Sequence, residues 1–412
     1  MTRLLDRFLR YVRVGTQADE KSATYPSSPG QLELGKILLA ELREIGLADA
    51  QQDEHGIVTA TVPTTVGHAA PTIAWIAHVD TSPETSGYGV KPIVHAAYDG
   101  KDIVLPGDST KVIRVTDNPD LQKLKGQTIV TTDGTTLLGG DDKAGVAVIL
   151  EAAARLIGRT DLPHGPIRLC FTCDEEIGRG VDHVDLAKLG ARVGYTLDGS
   201  GVGEIDVETF SADLATVTIT GVNIHPAIAK GRMVNAVRLA GLFLDRLPRL
   251  TQAPEVCDGR DGFLHPYTIE GGVARTTIRI LLRDFDTPKL AERADLLRAV
   301  ARTIETEYPA ATVTVDVTRQ YRNMADGLAK EPRAVTLAQE AMRRCGLEPR
   351  LTIVRGGTDG SRLTELGLPT PNLSTGEHNI HSPLEWTCLE EMETAVGVLL
   401  ELARVWGAER NG

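Results

Sequence analysis

Long apolar runs are missing from this sequence, which limits where the protein can work. No run approaches the roughly 18 residues that a transmembrane helix needs. The first segment, MTRLLDRFLRYVRVGTQ, interleaves arginine and aspartate with apolar residues at helical spacing. It therefore predicts an amphipathic helix rather than the unbroken apolar stretch of a signal peptide. We expect a cytoplasmic protein with no membrane partner.

Cysteine is also scarce. Five cysteines in 412 residues are an odd and sparse number, which argues against a disulfide framework and for a reducing compartment. Cys170 and Cys173 form a C-x-x-C pair, but they lie in the apolar run RLCFTC, which predicts a buried strand. A redox pair normally lies at a strand-to-helix turn, so we interpret both as structural cysteines and a redox function as a remote alternative.

Basic residues are fewer than acidic residues. The chain has 44 lysines and arginines against 56 aspartates and glutamates, a net charge of −12. Such an acidic surface repels phosphate backbones, so a nucleic-acid partner is not expected. Apolar residues make up 42% and charged residues 24%, as in ordinary globular proteins. A length of 412 residues exceeds the usual size of one core and predicts two domains.

Strand and helix patterns alternate in the first half of the chain. Short apolar strands are predicted over 72–77, 167–171 and 193–197, and helices over 31–45 and 144–157. This order is typical of an α/β domain with a parallel or mixed sheet covered by helices. We assign residues 1–210 to the first part of this domain.

The pattern changes after residue 210 and returns near residue 323. Between them, β-branched strands and amphipathic helices follow in the order β-α-β-α-β, which predicts a compact α+β domain over 211–322. The α/β pattern resumes over 323–412, with a helix at 332–345, a strand at 351–354 and a closing helix at 389–406. The fold prediction is thus a mixed-sheet α/β domain with an inserted α+β domain.

Histidine and carboxylate residues follow the predicted strands of the α/β domain. Because ligands bind at the carboxyl ends of strands in open α/β sheets, these side chains are expected to converge. A fifth group comes from a loop rich in Gly, Asn and Ser. Two imidazoles and three carboxylates suit Zn²⁺, with Co²⁺ or Mn²⁺ as substitutes. The candidate metal ligands are His78, Asp141, Glu176, Asp198 and His381.

Each fragment alone has an ordinary structural interpretation. An H-x-D triplet is common, paired aspartates before a helix can be N-caps, Glu-Glu can be a solvated face, and Asp-Gly can be a turn. The joint pattern is much less expected by chance than any one part. It favours a metal centre.

Two further carboxylates fit a catalytic role. Asp80, two residues beyond His78, can accept the other imidazole N–H and orient the ring. Asp141 is the candidate that bridges two cations, which together can activate a shared water. Glu175, beside Glu176, is the candidate general base. We expect its pKa to be depressed by two nearby cations, so that it is ionised at neutral pH.

These segments resemble metallopeptidase family M20, and the resemblance runs through nearly the whole chain. The segments that carry it are HVDTSP at 78–83, LLGGDDKAG at 137–145, FTCDEEIGRG at 171–180, YTLDG at 195–199, GVNIHPAIAKGRMVNA at 221–236 and NIH at 379–381. The resemblance implies a dinuclear zinc aminopeptidase that removes the first residue of short peptides with a free N-terminus, most of all tripeptides. It leaves a monomer or a homodimer open.

The resemblance also implies roles for single residues. One metal would be held by His78, Asp141 and Asp198, and the other by Asp141, Glu176 and His381. Glu175 would be the general base and Asp80 the orienting carboxylate.

The inserted domain would be a lid. Its His225 would stabilise the oxyanion, although a loop histidine is by default a surface residue. Substrate would be bound by Asn235, Arg283 and Arg355. Arg283 precedes Asp284, so a strand-end ion pair is the alternative for that arginine.

Several positions depart from the family pattern. Glu377 and Ser382 replace expected glycines, Cys173 replaces an expected proline, and Glu84-Thr85 differ from the usual residues. Glu377 could add negative charge near the site and change metal affinity or substrate preference. A dipeptidase, a carboxypeptidase and an N-acyl amino-acid deacylase share the chemistry and remain alternatives, as does a non-catalytic binding protein, which the presence of Glu175 disfavours.

Overall fold

The chain divides into two compact units in a computed structural model that describes residues 3–157, 159 and 161–410. The first unit contains the residues up to Val207, Met324–Ile353 and the residues from Thr358 on, and the second contains Glu208–Asn323 and Val354–Gly357. The sequence predicts that residues 354–357 lie in the α/β domain, whereas they cluster with the second unit.

The helices begin and end as follows. In chain order they are α1 (Arg3–Tyr11), α2 (Pro29–Glu44), α3 (Gly140–Ile157), α4 (Leu186–Leu189), α5 (Ala236–Asp245), α6 (Thr287–Glu307), α7 (Ala325–Leu328), α8 (Arg333–Arg344), α9 (Asp359–Glu365) and α10 (Leu389–Ala408). Short 3₁₀ turns span Pro119–Gln122, Glu175–Ile177 and Pro226–Ile228. Among the described residues, no helix is both long enough and apolar enough to cross a bilayer.

The strands are shorter and are concentrated in the first unit. In chain order they are β1 (Gln51–Gln52), β2 (Val58–Val62), β3 (Ile73–His78), β4 (Ile93–His95), β5 (Ile103–Val104), β6 (Val112–Ile113), β7 (Ile129–Thr131), β8 (Ile167–Thr172), β9 (Val193–Ser200), β10 (Glu204–Thr209), β11 (Ser211–Thr220), β12 (Phe263–Gly271), β13 (Arg275–Asp284), β14 (Thr312–Tyr321), β15 (Arg350–Val354), β16 (Asn372–His378) and β17 (Trp386–Cys388).

The first unit is built on one large mixed sheet, as predicted. Its strand order is β1-β2-β8-β3-β9-β16-β17-β7-β4, with β10 pairing with β15 and β16. β3 runs parallel to β8 and β9, and β9 runs parallel to β16, whereas β2 and β17 join the sheet antiparallel. All six residues of β3 are buried, as expected for a central strand covered on both faces.

Helix α3 packs closely on this sheet because its inner residues are small. Gly145 lies so near β9 that a Cβ atom there would be 1.9 Å from the carbonyl oxygen of Leu197. A side chain at this position would force the helix away from the strand. Gly145 therefore sets the distance at which the first turn of α3, with Asp141, faces β9.

The second unit has a four-stranded antiparallel sheet in the order β12-β13-β11-β14. Burial alternates along β11 and β13, because one face of the sheet packs against α5 and α6. Leu239 and Phe243 of α5 and Leu297 of α6 are part of its core. The predicted order β-α-β-α-β was wrong, since β12 adds a strand before β13.

Strand β12 was missed for a physical reason. It contains Pro266, which removes a backbone donor and argues against a central strand. β12 is an edge strand, and its register with β13 shifts between Pro266 and Thr268. An edge position tolerates the missing N–H.

The cysteine pair lies in the sheet of the first unit. Cys170 is in β8 and Cys173 follows it, and both are buried free thiols. Burial raises the pKa of Cys170 to about 12. A buried thiol of this kind is not a reactive thiolate, which supports the structural interpretation.

Candidate metal centre

The candidate ligands of the first unit meet at one edge of the sheet. His78 is the last residue of β3, and Glu176 lies in the 3₁₀ turn that follows β8. Asp141 lies in the first turn of α3. Asp198 lies within β9 rather than at its end, because the strand continues to Ser200. Since β3, β8 and β9 are parallel neighbours, their carboxyl ends bring these groups together.

Asp141 lies between the two histidines. Its Oδ1 is 2.9 Å from Nε2 of His78, and its Oδ2 is 3.1 Å from Nε2 of His381. Each carboxylate oxygen thus faces a different imidazole. This is the arrangement in which one carboxylate can contact two cations.

The other two carboxylates divide between the histidines. Oε2 of Glu176 is 2.9 Å from Nε2 of His381. Oδ1 of Asp198 is 3.9 Å from Nε2 of His78. The centre therefore has two halves that share Asp141.

The donor atoms fit divalent cations. Both ring nitrogens of His78, Oδ1 of Asp141 and Oε1 of Glu176 are buried and have no well-aligned hydrogen-bond partner. Buried polar atoms are almost always paired, so several unpaired atoms in one place require an explanation. His78, Asp141 and Glu176 each offer a ligand atom within 4.8 Å of the others. Cations on the two sides of Asp141 would satisfy Nε2 of His78 and the carboxylate oxygens of Asp141 and Glu176.

Asp80 holds both the histidine and the glutamate turn. Its Oδ1 lies 3.4 Å from Nδ1 of His78. The same carboxylate accepts the backbone N–H groups of Glu175 and Glu176, each at 3.1 Å. Asp80 is fully buried, so its contacts fix the ring of His78 and the turn in one arrangement.

Glu175 lies beside the centre and is held by α9. Its Oε1 accepts the backbone N–H of Asp359 at 3.2 Å. Burial raises the pKa of Glu175 well above its ordinary value, although the charge of His78 lowers it. The predicted depression of this pKa refers to a site that contains two cations, whose positive charges oppose the effect of burial.

Burial and mutual contacts shift the pKa values of the residues in this centre. Burial raises the pKa of Glu176 to about 7. Burial also disfavours the imidazolium of His381, but its contacts with Asp141 and Glu176 raise that pKa to about 11. Without cations the group therefore retains protons near neutral pH. Metal binding would displace them.

Sequence reasoning missed the carboxylates that support the ligand-bearing loops. Glu385 is fully buried and accepts the backbone N–H groups of Leu138 and Gly139 at 2.7 and 2.8 Å, and that of Asp141 at 3.2 Å. Asp142 accepts the backbone N–H of His78 at 3.0 Å. The only signal in the sequence was the position of Glu385, four residues after His381.

Two of the predicted lid residues lie at turns of the second unit. His225 is exposed, and its Nδ1 accepts the N–H of Ala227 at 3.2 Å. In the neutral ring this leaves Nε2 as the donor. Asn235 is the N-cap of α5, where its Oδ1 accepts the N–H of Val237 at 2.9 Å. The amide oxygen of Asn235 therefore has a structural role at the start of α5.

The two arginines of the second unit contact aromatic rings and carbonyl groups. Arg283 lies over the ring of Tyr321 at 5.5 Å. The alternative of an ion pair between Arg283 and Asp284 is not observed, because Asp284 pairs with Arg293. Arg355 donates to the carbonyl of Gly259 at 2.7 Å and lies over two phenylalanine rings.

Three of the departures from the family pattern lie around His381 or its loop. The hydroxyl of Thr85 donates a hydrogen bond to the carbonyl oxygen of His381 at 2.8 Å, and Oε2 of Glu84 lies 3.4 Å from Nδ1 of His381. The hydroxyl of Ser382 accepts the N–H of Leu384 at 2.9 Å. These residues support the histidine loop without replacing a candidate ligand.

The sequence matches known proteins along its whole length. Residues 131–405 match the model of peptidase family M20/M25/M40. The chain is 43% identical to a peptidase T of Halothermothrix orenii over 410 residues, which cover 99% of this chain and 100% of the relative. It is also 43% identical to a peptidase T of Clostridium botulinum over 406 residues, 98% of this chain and 99% of the relative.

Solved structures have the same fold. The aminopeptidase PepT of Bacillus cereus aligns with a TM-score of 0.76 at 24% identity, covering 99% of this chain and 98% of that chain. A tripeptidase of Staphylococcus aureus aligns with a TM-score of 0.78 at 24% identity and the same coverage. A dinuclear metal-binding M20 peptidase of Bacillus subtilis aligns with a TM-score of 0.66 at 17% identity, covering 98% and 97%.

Proposed function

The chain belongs to peptidase family M20/M25/M40, and from this premise we propose that it is an aminopeptidase that removes the N-terminal residue from short peptides, most of all tripeptides. The names of the full-length relatives and of two structural neighbours support this substrate class. The observation that carries the chemistry is the bridging position of Asp141, with one oxygen facing His78 and the other facing His381.

The proposed cofactor is a pair of Zn²⁺ ions, with Co²⁺ or Mn²⁺ as substitutes. His78, Asp141 and Asp198 would hold one ion, and Asp141, Glu176 and His381 the other. The pair would supply Lewis-acid activation of the attacking water and of the scissile carbonyl. Two imidazoles with three carboxylates suit these ions better than Mg²⁺ or Ca²⁺, which prefer oxygen ligands alone.

Glu175 is the proposed general base. It takes a proton from the attacking water and returns it to the leaving amine. The N–H of Asp359 holds its carboxylate, and Asp80 holds its backbone. These contacts keep the base in one orientation during both transfers.

The second unit is the proposed lid, and its side chains would bind the substrate. His225 would donate from Nε2 to the oxyanion that forms as the carbonyl is attacked. The amide of Asn235 and the guanidinium groups of Arg283 and Arg355 would bind the peptide backbone and its carboxylate. Recognition of both ends would set the preferred length.

The proposal is tested with the zinc-loaded protein and di-, tri- and tetrapeptides, each with free or blocked termini. We expect the N-terminal residue to be released from tripeptides, and acetylation of the N-terminus to abolish the reaction. Release from the other end would identify a carboxypeptidase, cleavage of dipeptides alone a dipeptidase, and cleavage of acylated amino acids a deacylase. If the protein hydrolyses none of these peptides when both metal sites are filled, the remaining interpretation is a non-catalytic binding protein.

A further inference from the structure

Glu377 lies among the candidate ligands although the assigned metal sets do not use it. It is near the end of β16 and is 2% exposed. β16 pairs in parallel with β9, which carries Asp198. Asp141, Asp198 and Glu377 each offer a carboxylate oxygen within 4.8 Å of the other two.

The surroundings of Glu377 leave one of its oxygens available. Oε1 accepts the hydroxyl of Thr375 at 2.7 Å, and that hydroxyl also lies 3.2 Å from the carbonyl oxygen of Gly199. No hydrogen bond from the described residues reaches Oε2. The threonine holds the carboxyl group on the side of β9, next to Asp198.

Three carboxylates at this distance, two of them buried and one half-buried, repel one another unless a positive charge or a proton lies between them. The described residues provide no lysine or arginine that forms an ion pair with Asp141, Asp198 or Glu377. In addition, Nε2 of His78 lies 2.9 Å from Oδ1 of Asp141 and 3.9 Å from Oδ1 of Asp198. An imidazole nitrogen that faces two carboxylates in this way can share one cation with them.

We propose that Glu377 is a direct ligand of the cation that His78, Asp141 and Asp198 hold. This inference rests on the proposed function, because it requires the dinuclear centre. It gives that half of the centre one nitrogen and three carboxylate donors, against one nitrogen and two carboxylates in the half with Glu176 and His381. A donor set richer in carboxylate oxygen favours Mn²⁺ relative to Zn²⁺, so the two halves should differ in metal preference.

The test compares the full-length protein with Glu377→Gln, which keeps the shape but removes the charge, and Glu377→Asp, which keeps the charge but shortens the reach. Glu331→Gln is the matched control, because Glu331 is a buried carboxylate paired with Arg192 and Arg333. Bound metal is counted by elemental analysis, and affinities for Zn²⁺ and Mn²⁺ are measured by chelator competition.

We expect two ions in the wild-type protein and in Glu331→Gln. Both Glu377 variants should weaken one of the two sites about 10- to 100-fold or more, with the larger loss for Mn²⁺, and leave the other site unchanged. Circular dichroism of the metal-free proteins checks folding, and if the glutamine variant does not fold, the aspartate variant decides.

The opposing results are distinct. If Glu377→Gln binds both ions as tightly as the wild-type protein, the carboxyl is a neutral hydrogen-bonding group and the inference is wrong. If Glu377→Asp binds Zn²⁺ and Mn²⁺ with unchanged affinity, Glu377 acts only through its charge and is not a direct ligand, so the inference is again wrong. If the wild-type protein binds no pair of ions, the proposed function itself fails, and the behaviour of Glu377 is then irrelevant to it.

Discussion

The two units of the molecule hold their candidate functional residues in opposite ways. In the first unit His78 is 2% exposed, Asp141 is 6% exposed and Asp80 is fully buried, and these side chains contact one another. In the second unit His225 is exposed and Asn235 is half-buried, and each satisfies only a local turn or helix end.

This difference suits two tasks: the buried residues of the first unit suit metal binding and catalysis, and the accessible residues of the second unit suit substrate binding. Buried like charges are costly, so they persist where a ligand compensates for them, and their arrangement is then fixed. Exposed polar groups cost little and remain available to a ligand that arrives later. Changes to the candidate ligands of the first unit should therefore affect metal content and turnover, and changes in the second unit should leave metal content intact.

The largest effect is expected from Glu175→Gln. Loss of the general base should lower kcat about 10²- to 10⁴-fold, because glutamine cannot carry the proton from the water to the leaving amine. Metal content should stay at the wild-type level, since Glu175 is not a proposed ligand. Steady-state kinetics on a tripeptide and elemental analysis measure both, and near-wild-type turnover would remove Glu175 from the role of base.

The next effect tests the second unit. His225→Ala should lower kcat about 10²- to 10³-fold, because one donor to the oxyanion is lost. Binding of both ions should be unchanged. His265→Ala is the matched control, because His265 is a histidine of β12 that contacts Tyr267. A change in KM alone would assign His225 to substrate binding instead.

A smaller effect is expected from Glu385→Gln. Both carboxylate oxygens of Glu385 accept loop N–H groups, whereas glutamine has only one amide oxygen, so at least one of these hydrogen bonds is lost and the loop that carries Asp141 should loosen. Metal affinity should fall about 10- to 100-fold, as measured by chelator competition. Glu331→Gln again serves as the control, and equal affinity in both variants would show that the loop holds its shape without this charge.

The smallest effect concerns pH. In the metal-free protein, burial raises the pKa of Glu176 from 4.5 to about 7, and contacts with Asp141 and Glu176 raise that of His381 from 6.5 to about 11 despite burial. Between pH 4.5 and about 11 the folded state therefore binds more protons than the unfolded state, so the stability of the metal-free protein falls as the pH rises through this range. Thermal unfolding at pH 5.5 and pH 8 should show a Tm gain on zinc addition that is a few degrees larger at pH 8. An equal gain would mean that these protons are absent.

Most of the fold followed from the spacing of apolar residues. The central strands β3, β8 and β9 are short segments in which apolar residues predominate, and α3 is a long segment in which small and apolar residues predominate, so their type was clear from the sequence. The predicted strand at 193–197 stopped too early, since Asp198 and Gly199 suggested a turn, while the structure continues the strand to Ser200. Pairing with β16 outweighed the local preference of these residues.

The sequence by itself determined which residues converge, because side chains at the carboxyl ends of parallel strands share one edge of the sheet. His78, Glu176 and Asp198 were predictable in this way. The positions of Glu385 and Asp359 against the loops, and of Glu377 in the cluster, depend instead on long-range packing. Their roles depend on which backbone N–H groups and carboxylates face them across long sequence separations, and no local pattern encodes that geometry.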